Sequence, residues 1–338
     1  MATTVRRAAL TFGVLSWVTM LGGVAQAQFS SAGKPEIALP ANPQAWLNSP
    51  PLTAEALQGK AMVLWFFEEG CPRCREKWPG MIETANKFQG QPVVFVGVNS
   101  GNPREAVDQY AQEVSLKWPV IVDTDRSFEK ACGVSEISLQ NIYQIKVLTA
   151  QGTLTGGDWS DVEGTAKKGL AGAAWRVDPT KIPAALQDAW RAVEFGSYSL
   201  AAAAIKKNLA SPKPDVKAGA EALQEAVKKE IDALVAQATT SRESGDKWAA
   251  YKSYALASEK FKGYDLPTEV RDQLKSLAGD DKVKMNLAAS KLLDTARKQV
   301  NNPKTALATL ARIVKQYPES DAAKQAQTFL DQAGGKSP

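Results

Sequence analysis

The chain contains no histidine and only three cysteines in 338 residues. The lack of histidine excludes Ser-His and Cys-His nucleophilic catalysis and every metalloprotease motif that relies on imidazole ligands. Three cysteines without histidine are too few for a four-ligand structural zinc site. Covalent haem attachment needs a histidine directly after the second cysteine of a Cys-x-x-Cys pair, and Arg75 occupies that position. The sequence therefore predicts neither a bound metal nor a cofactor.

Two of the three cysteines form a Cys-x-x-Cys pair, Cys71-Pro72-Arg73-Cys74. The pair follows an apolar run at residues 61–67 and leads into a helix-like stretch, so it lies where a buried strand meets a helix. A two-residue gap in the first helical turn keeps two sulfurs close enough to form a disulfide. This arrangement is typical of thiol-disulfide exchange.

The start of a helix gives the two thiols different roles. Unpaired backbone N–H groups and the helix dipole favour a thiolate there, so we expect Cys71 to face solvent as the nucleophile and Cys74 to be the resolving thiol. Pro72 suits the first helical turn, where a missing N–H costs nothing. The charges of residues 68–77 cancel, so the helix end and Arg73 should govern thiolate stability. An inert structural disulfide is the alternative, because exported chains keep disulfides.

The N-terminal segment, residues 1–27, has the pattern of a signal peptide. Arg6 and Arg7 precede an apolar stretch at residues 8–24, and Ala25-Gln26-Ala27 forms a small-x-small cleavage site. An uncleaved membrane anchor is the alternative, since about 17 apolar residues is the lower limit for a span. Only the arginine pair of a twin-arginine signal is present, which favours the general secretory route. We therefore expect an exported, periplasmic protein.

The chain without this segment has 311 residues, with 39 basic residues against 36 acidic ones and a net charge of +3. This length is enough for two domains. So small a net charge argues against a nucleic acid as partner.

Residues 28–178 alternate strand-like and helix-like segments. The pattern predicts strands at 61–67, 92–98 and 120–122, a final hairpin over 142–154, and helices at 71–88, 103–114 and 126–132. The second helix should begin at an Asn102 cap. Strands separated by helical crossovers imply a central sheet covered on both faces.

Residues 36–163 resemble the thioredoxin superfamily, in particular its exported redoxin branch, called TlpA-like or ResA-like. The matching stretches are Leu57-Gln58-Gly59-Lys60, residues 61–67, the Cys-x-x-Cys motif, residues 93–99 and Gly133-Val134. The resemblance implies an α/β thioredoxin-like domain, with a central mixed sheet and flanking helices. It also implies thiol-disulfide oxidoreductase activity on client proteins with thiols or disulfides, and a membrane electron-transfer partner.

Three positions depart from that family's pattern. Gly70 stands where an aromatic residue usually precedes the first cysteine, which opens the site to solvent or substrate. Trp65 replaces the buried acid of classical thioredoxins, so Glu68 and Glu69 are candidate proton acceptors, although a solvated loop carboxylate is the commoner role. Ser138 is the nearest match to the family's cis-proline, and a non-proline cis bond costs about 2.5–4 kcal/mol, so we expect a trans loop.

The third cysteine, Cys132, lies at the end of a predicted helix. Free cysteines are commonly buried as small apolar residues, and we expect the same of Cys132. A regulatory or intermolecular disulfide is the alternative.

Residues 179–338 change in composition to Ala, Leu, Lys, Glu and Gln, with apolar residues at helical spacing. Three turns between helical runs recur at roughly 50–60 residues, longer than the ~34 of a tetratricopeptide unit. The last helix pair resembles such a unit, with Asn302-Pro303 opening one helix and Tyr317-Pro318 closing it before a Ser320 cap.

We therefore predict an all-α domain over residues 179–338, built as tetratricopeptide-like repeats or as an irregular bundle. Stacked helix pairs form concave surfaces, so this region would recruit partner proteins. Trp248, Tyr251 and Phe261 could line such a surface, but their helical spacing favours core packing.

Two classes of function compete. In the first, the chain is an exported dithiol oxidoreductase whose helical half positions clients or a membrane electron donor. In the second, it is a binding or scaffold protein that keeps a redoxin fold with little turnover. A thiol peroxidase is a third, weaker hypothesis, because peroxiredoxins place a Pro and a Thr or Ser before their nucleophile, whereas Leu64 and Glu68 occupy those positions here.

Overall fold

The computed structural model describes residues 36–138, 140–299 and 302–334, and its first part is built on a six-stranded sheet. The strands are β1 (Trp46–Leu47), β2 (Ala61–Phe67), β3 (Val93–Ser100), β4 (Val120–Asp123), β5 (Gln144–Leu148) and β6 (Leu154–Gly156). They lie side by side in the order β1-β4-β3-β2-β5-β6. Strands β2, β3 and β4 are parallel, and β1, β5 and β6 pair antiparallel with their neighbours. The sheet is therefore mixed, as the family resemblance implies.

The position of β2 at the centre of the sheet explains the unbroken apolar run at residues 61–67. It pairs with β3 on one side and β5 on the other, so that Val63 lies between Phe95 and Val147. All seven of its side chains are completely buried. A strand without a solvent face reads as an unbroken apolar run, because helices cover both sides of the sheet.

Five helices accompany the sheet: α1 (Ala54–Leu57), α2 (Pro72–Asn86), α3 (Arg104–Glu113), α4 (Ser127–Ala131) and α5 (Val162–Gly169). The predicted Asn102 cap of α3 is wrong. Pro103 has extended backbone angles and takes the cap position without a side-chain hydrogen bond, so the helix begins at Arg104. The sequence did not predict α5, where Gly164 and Gly169 weaken the helical signal.

The second part is helical. It contains α6 (Gln187–Glu194), α7 (Tyr198–Asn208), α8 (Pro214–Glu243), α9 (Lys247–Lys260), α10 (Thr268–Leu277), α11 (Asp281–Lys298), α12 (Pro303–Gln316) and α13 (Asp321–Gly334). The predicted caps of the last pair are present: Asn302 accepts a hydrogen bond from the Thr305 N–H, and Ser320 accepts one from the Ala323 N–H. Whether these helices form a tetratricopeptide-like repeat stays a prediction.

Three hydrophobic cores organise the described residues. The first surrounds the sheet, the second is formed by residues of α6–α10 and the segment before them, and the third by α11–α13. Trp248 and Phe261 are buried and Tyr251 is half-buried, so core packing was the better prediction for these aromatic residues. The domain boundary at residue 178 stays a prediction.

The segment at residues 175–177 ties the helical part to the sheet. Arg176 donates hydrogen bonds to the carbonyls of Glu55 and Glu194, both at 2.6 Å, and its Nε lies 3.0 Å from a carboxylate oxygen of Glu230. Trp175 donates its indole N–H to the Gly90 carbonyl at 2.7 Å. These contacts join elements that are far apart in sequence.

The signal-peptide prediction for residues 1–27 lies outside the described residues. Among the helices that the structure describes, none has both the length and the apolar character needed to cross a bilayer.

Candidate active site

The Cys-x-x-Cys motif lies between the end of β2 and the start of α2, as predicted. Cys71 is the N-cap residue of α2, and its Sγ accepts a hydrogen bond from the Cys74 N–H at 3.3 Å. Pro72 occupies the first helical turn, where its missing N–H has no partner to lose. All three cysteines, Cys132 included, are free thiols. The motif is therefore held in helix-start geometry with a donor directed at the first sulfur.

The expectation that Cys71 faces solvent is wrong: its side chain is only 5% exposed. The sulfur turns towards its own helix to accept the Cys74 N–H, rather than pointing outward. The solvent-exposed residues of the motif are instead Pro72 and Arg73. Gly70 is also exposed, and a Cβ built there would meet no atom within 4 Å. The missing aromatic residue at Gly70 thus leaves open space beside the first cysteine.

Cys74 is completely buried. Burial raises the pKa of its thiol to about 12, and the negative charge of Glu68 acts in the same direction, whereas a hydrogen bond from the Glu68 backbone opposes the shift. Cys74 is therefore protonated at neutral pH and has to lose a proton before its sulfur can attack.

An aromatic cluster supports the helix that carries the motif. Phe67, the last residue of β2, meets Trp78 edge-on at 5.0 Å between ring centroids and stacks on Tyr110 at 5.6 Å. Trp78 donates its indole N–H to the Tyr110 hydroxyl at 3.0 Å. These contacts join β2, α2 and α3 directly beside the thiols and fix the direction of α2.

The two candidate carboxylates differ in their partners. Glu68 accepts a hydrogen bond from Arg126 at 2.7 Å, in an ion pair with both side chains about three-quarters buried. Glu69 accepts one from the Gly70 N–H at 3.0 Å on the exposed side of the turn. Sequence reasoning missed Arg126, since a partner 58 positions away leaves no local pattern.

Trp65 is completely buried in the middle of β2, so the position of the classical buried acid carries no proton acceptor. Ser138 is half-buried, and its hydroxyl lies within hydrogen-bond distance of Gln140 Oε1 at 3.3 Å. No cis peptide bond occurs in residues 36–138, 140–299 or 302–334. The loop that enters Ser138 is therefore trans, as predicted.

Cys132 is 3% exposed and ends helix α4. Burial raises the pKa of its thiol to about 12. The prediction that it packs as a small apolar side chain is confirmed.

A second group of residues that the sequence did not single out flanks α2. Tyr143 and Trp159 stack with their ring centroids 4.4 Å apart, and the Lys77 ammonium lies 5.6 Å and 5.1 Å from these two rings. Trp159 is 41% exposed. No local pattern predicts this cluster, because Lys77, Tyr143 and Trp159 are far apart in the sequence.

Within residues 36–138, 140–299 and 302–334, no three Cys, Asp or Glu side chains come together in a metal-binding arrangement.

Comparison with known proteins places the likeness in the sheet region. Residues 35–154 match the family model described as AhpC/TSA family. The chain is 32% identical over 104 residues to the thiol-disulfide oxidoreductase ResA of Bacillus subtilis, which covers 29% of this chain and 57% of that protein. It is 29% identical over 79 residues to the soluble secreted antigen MPT53 of Mycobacterium tuberculosis, which covers 23% and 44%. The chain thus spans about half the length of the curated relatives it matches.

Solved structures are similar to part of the chain. A thiol:disulfide interchange protein of the thioredoxin family from Chlorobium tepidum is 22% identical, covers 42% of this chain and 99% of its own, and has a TM-score of 0.34. A secreted disulfide oxidoreductase from Mycobacterium tuberculosis is 22% identical, covers 36% and 90%, and has a TM-score of 0.29. Residues 35–154 are thus similar to the AhpC/TSA family, and part of the chain is similar to ResA.

Proposed function

We propose that this chain is an exported thiol-disulfide oxidoreductase that exchanges a dithiol for a disulfide at Cys71 and Cys74 with client proteins. The observation that carries the proposal is the helix-start geometry of the pair, in which the Cys74 N–H donates to the Cys71 sulfur. The attacking species in such exchange is a thiolate, and reactive cysteines of this kind commonly lie at helix N-termini. The likeness to ResA supports the same chemistry.

The exchange proceeds in two steps. The Cys71 thiolate attacks a client disulfide, and one client sulfur leaves as a thiolate. Cys74 then loses its proton and attacks the Cys71 sulfur, which breaks the mixed disulfide and releases the second client thiolate. Two electrons pass from the dithiol to the client, and a membrane electron-transfer partner would restore the dithiol. The reverse sequence inserts a disulfide into a client.

Residues near the cysteine pair have supporting roles in this proposal. Pro72 and Arg73 form the exposed rim that a client meets first, and Gly70 leaves room beside them. Ser138 would stand where the family's cis-proline loop contacts the client. Glu68 and Glu69 are the nearby carboxylates. The helical region would recruit clients or the electron donor.

Cysteine variants test the proposal. Reduced protein should reduce a disulfide-bonded peptide, Cys71→Ser should abolish the reaction, and Cys74→Ser should accumulate a mixed disulfide that mass spectrometry detects. No exchange by the wild-type protein would sink the proposal. The potential of the pair, measured in graded glutathione buffers, gives the direction: about −270 mV or below marks a reductant, and about −120 mV an oxidant.

A second candidate, a binding protein with little turnover, draws support from the near-complete burial of Cys71. Client capture that survives Cys71→Ser without any exchange would favour it. The peroxidase hypothesis is weaker, because Leu64 replaces the proline of a peroxidatic site and Glu68, which is paired with Arg126, replaces its threonine or serine hydroxyl.

A further inference from the structure

Arg126 contacts both the turn that leads into the redox motif and the loop that leads to Ser138. Its Nη2 is 2.7 Å from Glu68, in the turn that leads into Cys71, and 3.6 Å from Glu136, in the loop that leads to Ser138. Its Nη1 is 3.4 Å from Glu129, which is buried. One guanidinium thus meets three carboxylates from three different segments.

The local backbone conformation and hydrogen bonds fix the position of Arg126. Arg126 has φ 60° and ψ 20°, a left-handed conformation that is uncommon for a residue other than glycine. The Arg126 N–H donates to the Asp123 carbonyl at 3.1 Å, and the Asp123 carboxylate accepts the N–H groups of Phe128 and Glu129 at 3.0 Å and 2.7 Å. Backbone strain that the surroundings enforce is characteristic of functional sites.

Glycine at position 101 leaves the space that the guanidinium fills. A Cβ there would lie 2.6 Å from Arg126 Nη2, closer than non-bonded atoms approach. The arginine is therefore enclosed between a glycine and three carboxylates, and its side chain is 22% exposed.

Glu68 links this arginine to both cysteines. Its carbonyl accepts the Cys71 N–H at 3.3 Å, and its backbone also hydrogen-bonds the Cys74 thiol. Burial is the main cause of the raised pKa of Cys74, and the charge of the Glu68 carboxylate adds to it. The other titratable groups that act on Cys74 are Cys71 on the same helix and Tyr110 on α3.

We propose that Arg126 is a positioning residue of the redox pair: it fixes the Glu68 turn against both cysteines and neutralises the Glu68 carboxylate, so that Cys74 can lose its proton during resolution. The inference rests on the proposed function. In the step concerned, the Cys74 proton passes to solvent and its sulfur bonds to Cys71. The bond from Cys71 to the client sulfur breaks, and the departing thiolate takes a proton from solvent.

A small symmetrical aromatic disulfide, mixed with an excess of the reduced full chain, separates the two steps. The first phase releases one aromatic thiolate when Cys71 attacks, and the second releases another when Cys74 resolves the mixed disulfide. Arg126→Ala should slow the second phase about tenfold at pH 7, which corresponds to a change of one pKa unit, and should move its pH profile upward. Arg126→Lys, which keeps the charge, should stay within about threefold of the wild-type rate.

The double variant Arg126→Ala with Glu68→Gln distinguishes an electrostatic role of Arg126 from a purely structural one. If Arg126 acts by neutralising Glu68, the double variant should recover to within about threefold of the wild-type second phase. A double variant as slow as Arg126→Ala, or an Arg126→Ala variant with an unchanged second phase, would overturn the inference. Glu136→Gln is the control, because it removes a partner that is 74% exposed and leaves the pair with Glu68 intact.

Glu68→Gln alone keeps the inference testable even if Arg126→Ala does not fold. This variant removes the carboxylate charge and keeps the arginine, so its second phase should be faster than that of the wild type. A slower second phase would indicate that Glu68 accepts the Cys74 proton, and would refute the role proposed for Arg126. A wild-type protein without a first phase would overturn the proposed function and this inference together. A normal first phase with unresponsive variants would overturn this inference only.

Discussion

Lys60 Nζ lies 2.9 Å from Glu194 Oε2, and both side chains are 0% exposed. Lys60 directly precedes β2 and Glu194 ends α6, so the pair joins the sheet region to the helical region. The other Glu194 oxygen accepts the Val177 N–H at 2.7 Å, and the rings of Trp175 and Phe195 lie 5.4 Å and 5.8 Å from the ammonium. A desolvated charge pair thus joins α6 directly to the residue that precedes the strand leading to the redox motif.

The first prediction concerns removal of one partner. Lys60→Met should lower the free energy of unfolding by about 3–5 kcal/mol, because it removes the partner that lies 2.9 Å from the buried Glu194 carboxylate and leaves Arg176 as a more indirect counter-charge. Urea unfolding measures the loss. Lys60→Met combined with Glu194→Gln should recover part of it, since no charge is then left unpaired.

The matched control is Lys87→Met, which breaks the pair of Lys87 with Glu163, where both side chains are at least 40% exposed. An exposed pair contributes about 0–1 kcal/mol, so this variant should unfold almost like the wild type. Equal effects of the two lysine substitutions would contradict the special role of the buried pair.

The second prediction is a pH dependence. Burial, helped by the charge of Arg176 and opposed by Glu194, lowers the pKa of Lys60 from 10.5 to about 8. Between these two values the unfolded chain binds the Lys60 proton and the folded chain does not, so this group makes the free energy of unfolding rise with pH. The stability difference between wild type and Lys60→Met should therefore grow from pH 8 to about pH 10.5. A difference that shrinks over this range would refute the assignment.

Local patterns carried most of what the sequence predicted. The apolar run of β2, the cysteine spacing, Pro72 at the helix start and the Asn302 cap each concern residues within a few positions of one another, so their signal survives in the sequence. The pairs Arg126–Glu68 and Lys60–Glu194 join segments that are distant in the sequence, so no local sequence pattern predicts them. Burial of Cys71 was missed for a related reason, because a motif fixes the backbone of a helix start but not the direction in which a sulfur turns.

The third prediction concerns the odd thiol. Iodoacetamide should leave Cys132 unmodified in the native protein and modify it in urea, because the thiol is buried and its pKa is raised to about 12. Mass spectrometry of tryptic peptides reads the modification. Cys132→Ala should exchange disulfides at the wild-type rate, with a modest loss of stability. Rapid native labelling, or loss of exchange in this variant, would instead place Cys132 in the redox chemistry.

The fourth prediction tests how closely α5 packs on the sheet. A Cβ at Gly169 would lie 2.8 Å from Val147 Cγ1 and 3.0 Å from the Ala61 Cβ, so even one added methyl group overlaps β5 and β2. Gly169→Ala should therefore lower the free energy of unfolding by about 1–3 kcal/mol, the usual cost of overpacking a core. Thermal and urea unfolding measure it.

Gly80 in α2 provides the opposite case within the same domain. It is exposed, and a Cβ there meets nothing within 4 Å, so Gly80→Ala removes only the conformational freedom of the unfolded glycine. We expect a gain of about 0.5–1 kcal/mol, because alanine favours a helix interior over glycine by that amount. The same substitution should thus change sign between two helical glycines. A neutral Gly169→Ala would mean that α5 lies further from β2 and β5 than the structure places it, and that the sheet face below the redox strand is less tightly covered.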